Sequence, residues 1–225
     1  FKNKKYGWGY ETQPEPNLGN RLINWPRGKT LGGSSSINGM LYIRGQAEDY
    51  EEWESSGNIG WGYRDLIKYF IELENNQNYE DQYHGNFGAL WVETYQSSLP
   101  ASKVFMSACS ESGLNENNDF NGSDQEGFGT YQVNIKNGQR CSAADAFLKP
   151  ILSRPNLELM TNTSVLKIII NNKKAVGEQV KNRQGIDVIT AETEDIICGG
   201  AINSPQLLMH SGIGPKEVLM RVNIS

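Results

Sequence analysis

"RGKTLGGSSSINGMLYIRG", Arg27 to Gly45, sets Gly-Lys-Thr, a glycine pair and three consecutive serines in one short stretch. Three loop chemistries share these residue types, and spacing separates them. A phosphate-cradling P-loop needs a glycine five positions before Gly28, where Ile23 stands. A nucleophile elbow, G-x-S-x-G, would put glycine at Ile37 if it began at Gly33 and Ser35. The dinucleotide fingerprint G-x-G-x-x-G fails wherever it begins: Gly7/Gly9, Gly60/Gly62, Gly127/Gly129 and Gly212/Gly214 end in Thr12, Asp65, Gln132 and Glu217. None of the three motifs accounts for the stretch.

The 225 residues are enough for one large domain or two small ones sharing a core. A net charge of −5 provides no basic field to follow a phosphate backbone, so nucleic acid is not an expected partner. The longest apolar run, around Ile168-Ile169-Ile170, is far below the roughly 18 residues of a membrane span. Cys109, Cys141 and Cys198 are too scattered for a disulfide framework and form no C-x-x-C pair. N-x-S/T matches at Asn121, Asn162 and Asn223 are no more than asparagine abundance gives by chance and leave the compartment unknown. The chain opens on polar "FKNKKYGWGYETQPEPN" without Met or a leader pattern, so the expectation is a removed leader or a missing amino terminus.

Pro14, Pro16 and Pro26 predict extended segments and turns over the first 25 residues. "AEDYEEWESSG" predicts a short helix stopped near Gly57. "YRDLIKYFIELE" predicts a second one, with Leu66, Ile67, Phe70 and Leu73 on its core face. Asn- and Asp-rich sequence from Asn75 to Asn86 reads as a loop, and "ALWVETY" as a strand. "SKVFMSACSESG" predicts a helix with Val104, Phe105, Ala108 and Cys109 along one side, Cys109 a small core residue and Gly113 the stop. A glycine-punctuated loop follows in "DFNGSDQEGFGTYQ". "SAADAFLKP" predicts a helix capped by Ser142 that ends before Pro150. "LELMTN", "VLKIII" and "AVGEQV" read as strands, the last two a hairpin turning at Asn171-Asn172.

"DIICGGAINSPQLLMHSGIGP" predicts a short buried strand, a Gly199-Gly200-Ala201 turn, and a helix with Ser204 as cap and Pro205 at its first position. A strand running through small residues into a helix amino terminus is the form of a nucleotide-facing βα turn.

Together the two stretches resemble the signatures of the glucose–methanol–choline (GMC) family of flavin-dependent oxidoreductases. Gly28, Leu31, Gly32, Gly33, Ser34, Ser35, Ile37, Asn38, Tyr42, Gly45 and Glu51 match the first signature. Gly200, Ala201, Ser204, Pro205, Leu207, Leu208 and Ser211 to Gly214 match the second. "EGFGTYQ", "NGQRCSAADAFL" and "RPNLELMTN" are also similar to the family's arthropod glucose-dehydrogenase-like branch.

The resemblance implies the fold class α/β with α+β elements: an FAD/NAD(P)-binding-like core carrying part of a sheet-based substrate domain, incomplete in this chain. It divides the chain into residues 1–88 (FAD-binding domain, lid and flavin-contacting segment), 89–140 (partial substrate domain) and 141–225 (return to the FAD-binding domain). It places Thr30, Gly32, Gly33, Asn38, Gly39, Met40 and Leu41 at the cofactor, and Val165 at the adenine through its backbone. Ser204 would act indirectly, by holding a helix amino terminus near FAD.

The implied chemistry is oxidation of the CH–OH group of a small alcohol or sugar, with hydride passing to flavin N5 and oxygen or a quinone-like acceptor restoring the cofactor. The base, a histidine in the family, is expected beyond residue 225, with no catalytic residue inside the chain and no metal. His210, at a variable signature position, and His84, in a polar loop, are not expected to take part. The amino-terminal glycine fingerprint is missing too, so the expectation is a fragment that is inactive alone. The competing reading is a non-catalytic GMC-like remnant or interaction protein.

Overall fold

A computed structural model describes residues 5–95 and 99–224. The opening residues 1–4 and Ser225, which completes the Asn223 acceptor match, lie outside the described residues. In chain order the strands are β1 (Tyr10–Glu11), β2 (Asn24–Trp25), β3 (Leu41–Tyr42), β4 (Glu74–Asn76), β5 (Leu90–Thr94), β6 (Gln132–Val133), β7 (Ile135–Lys136), β8 (Gln139–Arg140), β9 (Ser164–Asn171), β10 (Lys174–Lys181) and β11 (Ile186–Thr190). The helices are α1 (Ala47–Ser55), α2 (Tyr63–Leu73), α3 (Pro100–Glu111), α4 (Gly200–His210) and α5 (Lys216–Arg221). They form two compact units that meet in sequence between Leu157 and Glu158. Among the described residues no helix is long and apolar enough to cross a membrane.

The first unit is built around the four-stranded sheet β3-β6-β5-β4, antiparallel except for the parallel β4–β5 pair. Val92 on β5 and Val133 on β6 anchor its core. α1 starts at a capping box, in which Gln46 and Asp49 satisfy each other's free N–H groups. It ends before Gly57, whose φ of 102° stops the helix as predicted. α2 buries the predicted stripe only in part, for Leu73 at its last position is 46% exposed. In α3 the inward row is Ser102, Met106 and buried Cys109, spaced four and three apart. Val104 and Phe105, expected on that face with Ala108, are exposed with it. The inward row follows one helical seam, and those three lie beside it. Gly113, at φ 80°, ends the segment.

"SAADAFLKP" is not one short α-helix. Ala144–Leu148 form a π-type turn that runs directly into a 3-10 turn, Lys149–Ile151, which includes Pro150. Pro150 fits because the first residues of a new turn need no N–H partner. Ser142 does cap it, its Oγ accepting from Asp145 N at 3.2 Å.

In the second unit β11, β10 and β9 form an antiparallel sheet. The β9–β10 hairpin turns through Asn172 (φ 48°) and Lys173 (φ 65°), the two positive-φ positions of a two-residue turn whose twist matches the strands. α4 packs on β9. Ser211, just past α4, joins them by accepting from Ile168 N at 2.7 Å and donating to Leu207 O at 2.7 Å.

Three expectations in this unit are corrected. "LELMTN" is not a strand, and its Leu159 and Met160 are 42% and 43% exposed. The third strand is β11, whose residues are all exposed. Asp195–Cys198 form no strand, with Ile196 76% exposed; among the described residues they join no sheet ladder, although Asp195 meets Glu178 of β10 through its side chain. α4 begins at Gly200, so Ser204 is not its cap and Pro205 lies inside it. Pro205 is then the sixth helical residue and has no N–H to offer the Ala201 carbonyl four residues back.

Candidate functional site

The signature loop is a folded turn stapled by its own serines. Ser34 Oγ accepts from Gly28 N at 3.2 Å, Ser35 Oγ donates to Gly32 O at 2.5 Å, and Ser36 Oγ donates to Leu31 O at 2.7 Å. Each hydroxyl is thus committed to local backbone, which makes the triple serine a brace rather than a set of nucleophiles. Gly28 has to be glycine here, because a Cβ would overlap the Gly33 carbonyl.

Beyond the serines the chain passes through Asn38 and Gly39 to Met40, a non-glycine residue at φ 65°. Asn38 Oδ1 accepts from Met40 N at 3.0 Å, and Met40 O accepts from Asn134 N at 2.9 Å. Leu41 then starts β3. The outer side of this loop is open: a Cβ on Gly33 or Gly39 would meet nothing within 4 Å. Leu31 and Leu41 flank it at 44% and 53% exposure. Bare glycine backbone bordered by exposed leucines, with no carboxylate in the loop, fits a large, flat, partly apolar ligand such as the isoalloxazine of FAD.

Thr30, Gly32, Gly33, Asn38, Gly39, Met40 and Leu41 are therefore neighbours in one folded segment of the first unit. Val165 belongs to the second unit, on β9 opposite Val180 of β10.

Behind β3 lies a buried ionic network that sequence reading missed. Glu74, fully buried on β4, takes hydrogen bonds from Arg44 Nη2, Asn76 Nδ2, His84 Nδ1 (2.8 Å) and the Tyr42 hydroxyl (3.1 Å). The other His84 nitrogen, Nε2, lies 2.9 Å from Asp119 Oδ2. A ring held between two carboxylates donates through both nitrogens only as the imidazolium. Arg44 and His84 then balance Glu74 and Asp119, as buried charges require.

Burial alone would lower the His84 pKa, but the hydrogen bonds to Asp119 and Glu74 outweigh it and raise it to about 9. Burial likewise pushes the Tyr42 phenol up to about 12, leaving it a neutral donor. Asn121 completes the network, its Oδ1 accepting from Arg44 N at 2.8 Å and its Nδ2 donating to Tyr42 O at 3.2 Å.

His84 thus lies in the loop between β4 and β5 as expected, but buried rather than solvated. Asn75 to Asn86 read as loop because of its polarity, and that polarity supplies the partners of a buried charge. The isolated histidine carried no local signal of this. His210 is exposed at the end of α4.

Known proteins can now be set beside this geometry. Residues 15–222 match the family model described as GMC oxidoreductase. The oxygen-dependent choline dehydrogenase of Brucella anthropi is 45% identical over 214 residues, which are 95% of this chain and 39% of that protein. The same enzyme of Sinorhizobium fredii is 44% identical over 220 residues, 98% of this chain and 40% of that protein. The chain thus spans about two fifths of the length of these relatives. Among solved structures, pyridoxine 4-oxidase from Mesorbium loti superposes with a TM-score of 0.92 at 32% identity, over 98% of this chain and 44% of that one. An FAD-dependent oxidoreductase from Chaetomium thermophilum gives a TM-score of 0.92 at 26% identity, over 100% of this chain and 42% of that one. These matches bear out the mixed α/β fold class. The chain belongs to the GMC oxidoreductase family.

Proposed function

We propose that this chain supplies the flavin-facing part of an FAD-dependent oxidoreductase that oxidises the CH–OH group of a small alcohol. The carrying observation is the open, braced loop from Thr30 to Leu41, bare of side chains at Gly33 and Gly39. Bound there, FAD supplies the two-electron acceptor for conversion of an alcohol to a carbonyl compound. The serine brace and the Asn38 bond to Met40 N hold the backbone in place before the cofactor arrives, so little ordering is left for binding to drive. Gly33 and Gly39 keep that backbone close to the ring, while Gly32, where a Cβ would press on Ser36 Oγ, lets the turn close on itself. In this reading residues 1–88, 89–140 and 141–225 hold the roles that the family resemblance gives them.

His84 is not the base, because both of its nitrogens are committed inside the core. Relatives at 44–45% identity are named oxygen-dependent choline dehydrogenases, which favours a choline-like alcohol and oxygen as acceptor. A sugar substrate and the arthropod glucose-dehydrogenase-like branch have less support. The test is anaerobic mixing of the full polypeptide, carrying FAD, with choline or simple primary alcohols. Bleaching of the flavin absorbance, and its return on admitting oxygen, is the expected result. A flavin-loaded protein that no alcohol bleaches refutes alcohol oxidation and leaves the non-catalytic relative.

A further inference from the structure

Arg140 reaches the signature loop from more than a hundred residues away in sequence. Its Nη1 donates to Ser35 O (3.0 Å) and Asn38 Oδ1 (2.7 Å), and its Nη2 to Asn38 O (2.8 Å). Three of the five guanidinium N–H donors are thus spent on one loop. A second tether lies three residues on, where Ala143 N donates to Ser35 Oγ at 2.9 Å.

The target of this clamp is the conformation of Met40. A side chain with a Cβ seldom adopts φ 65°, and such backbone persists only where its surroundings over-determine it. Asn38 Oδ1 takes one hydrogen bond from Arg140 Nη1 and one from Met40 N, so Arg140 orients the carboxamide that holds the unusual residue. Asn134 grips Met40 from the other side through its carbonyl. The Arg140–Asn38 bonds are exposed, where water would satisfy the same groups and the net contribution to folding is small. A three-point contact that adds little stability yet fixes a strained turn beside open space suits the holding of a ligand surface.

We propose that Arg140 is the positioning residue of the flavin-facing loop, locking Asn38 and the left-handed Met40 so that the Asn38–Leu41 backbone meets the cofactor in one conformation. This rests on the reading above, that the loop faces FAD. Lysine cannot replace it, since one ammonium does not reach three acceptors in a plane.

The test uses the full polypeptide with FAD and compares wild type with Arg140→Ala, Arg140→Lys and Asn38→Ala. In Arg140→Ala, FAD binding weakens about tenfold. The visible circular dichroism of the bound flavin changes while the melting temperature of the apoprotein holds. Arg140→Lys fails to restore either signal, and guanidinium ion added to Arg140→Ala restores both. Asn38→Ala gives the same change, and the double variant no larger one. Wild-type affinity and dichroism in Arg140→Ala, or full recovery by lysine, overturns the proposal. Amide exchange at Asn38–Leu41 separates it from the underlying reading. If FAD protects these amides in the wild type and Arg140→Ala is unaltered, only the clamp fails. If FAD binds without protecting them, the flavin-facing reading falls and the clamp with it.

Discussion

His84 Nδ1 stands 2.8 Å from Glu74 Oε1, and neither side chain reaches solvent. With Asp119 on the other ring nitrogen, the histidine pKa rises from 6.5 to about 9. A histidine whose folded value lies above its unfolded one stabilises fully below the unfolded value, and that stability is lost as pH climbs through the folded value. Asp119 shifts the opposite way: burial raises it, but the hydrogen bond to His84 and its other partners dominate and lower it. Its share of stability is therefore lost as pH falls below the ordinary carboxylate range. The melting temperature should be flat from about pH 4 to 6.5 and fall toward pH 9, a loss of about 3 kcal/mol. His84→Gln should remove the alkaline slope, and a slope that survives it would assign the pH dependence elsewhere.

Glu74 joins Arg44, His84, Asn76 and Tyr42, and removing its charge leaves the buried Arg44 without a carboxylate and His84 with Asp119 alone. Glu74→Gln should cost about 3–5 kcal/mol in denaturant unfolding, the expected cost of breaking a buried pair from one side. Adding Arg44→Met should recover part of that loss, because no unpaired guanidinium is then left. A double variant that is simply additive would mean the two groups do not act as a pair.

The β9–β10 hairpin carries lysine where its turn asks for glycine. Lys173, at φ 65°, occupies the second central position after Asn172. Lys173→Gly should therefore stabilise the protein by about 1 kcal/mol, a gain readable as a higher melting temperature. An unchanged or lower value would argue against the two-residue turn.

Sequence reached the local elements and stopped at the long-range ones. α1, α2 and the hairpin were legible because each depends on neighbours: a helical stripe, a glycine stop, an asparagine turn. The signature loop was legible as a motif, and the failure of Gly28 and Gly33 to fit other glycine motifs helped identify it. The work of its serines was not, since Ser35 also answers to Ala143, 108 residues away. The same distance hid Arg140, which stood inside a stretch already noted for its family likeness. The network around Glu74 was hidden for another reason, that asparagine and aspartate promise turns in sequence and only a fold shows when they surround a charge. Asp195–Cys198 have the apolar pattern of a buried strand, but pairing is a property of neighbours and not of the segment.

If the Asn38–Leu41 loop meets FAD, a side chain added at Gly39 stands in the way of the ring. Gly39 has no neighbour within 4 Å of a Cβ and does not rely on a positive φ, so a side chain there costs the fold nothing visible. Gly39→Val should leave the melting temperature of the apoprotein unchanged and, by projecting into the space of the ring, cut FAD affinity by about a hundredfold, measured by titration of flavin fluorescence. Wild-type FAD affinity in a stably folded Gly39→Val protein would mean that the loop does not face the flavin.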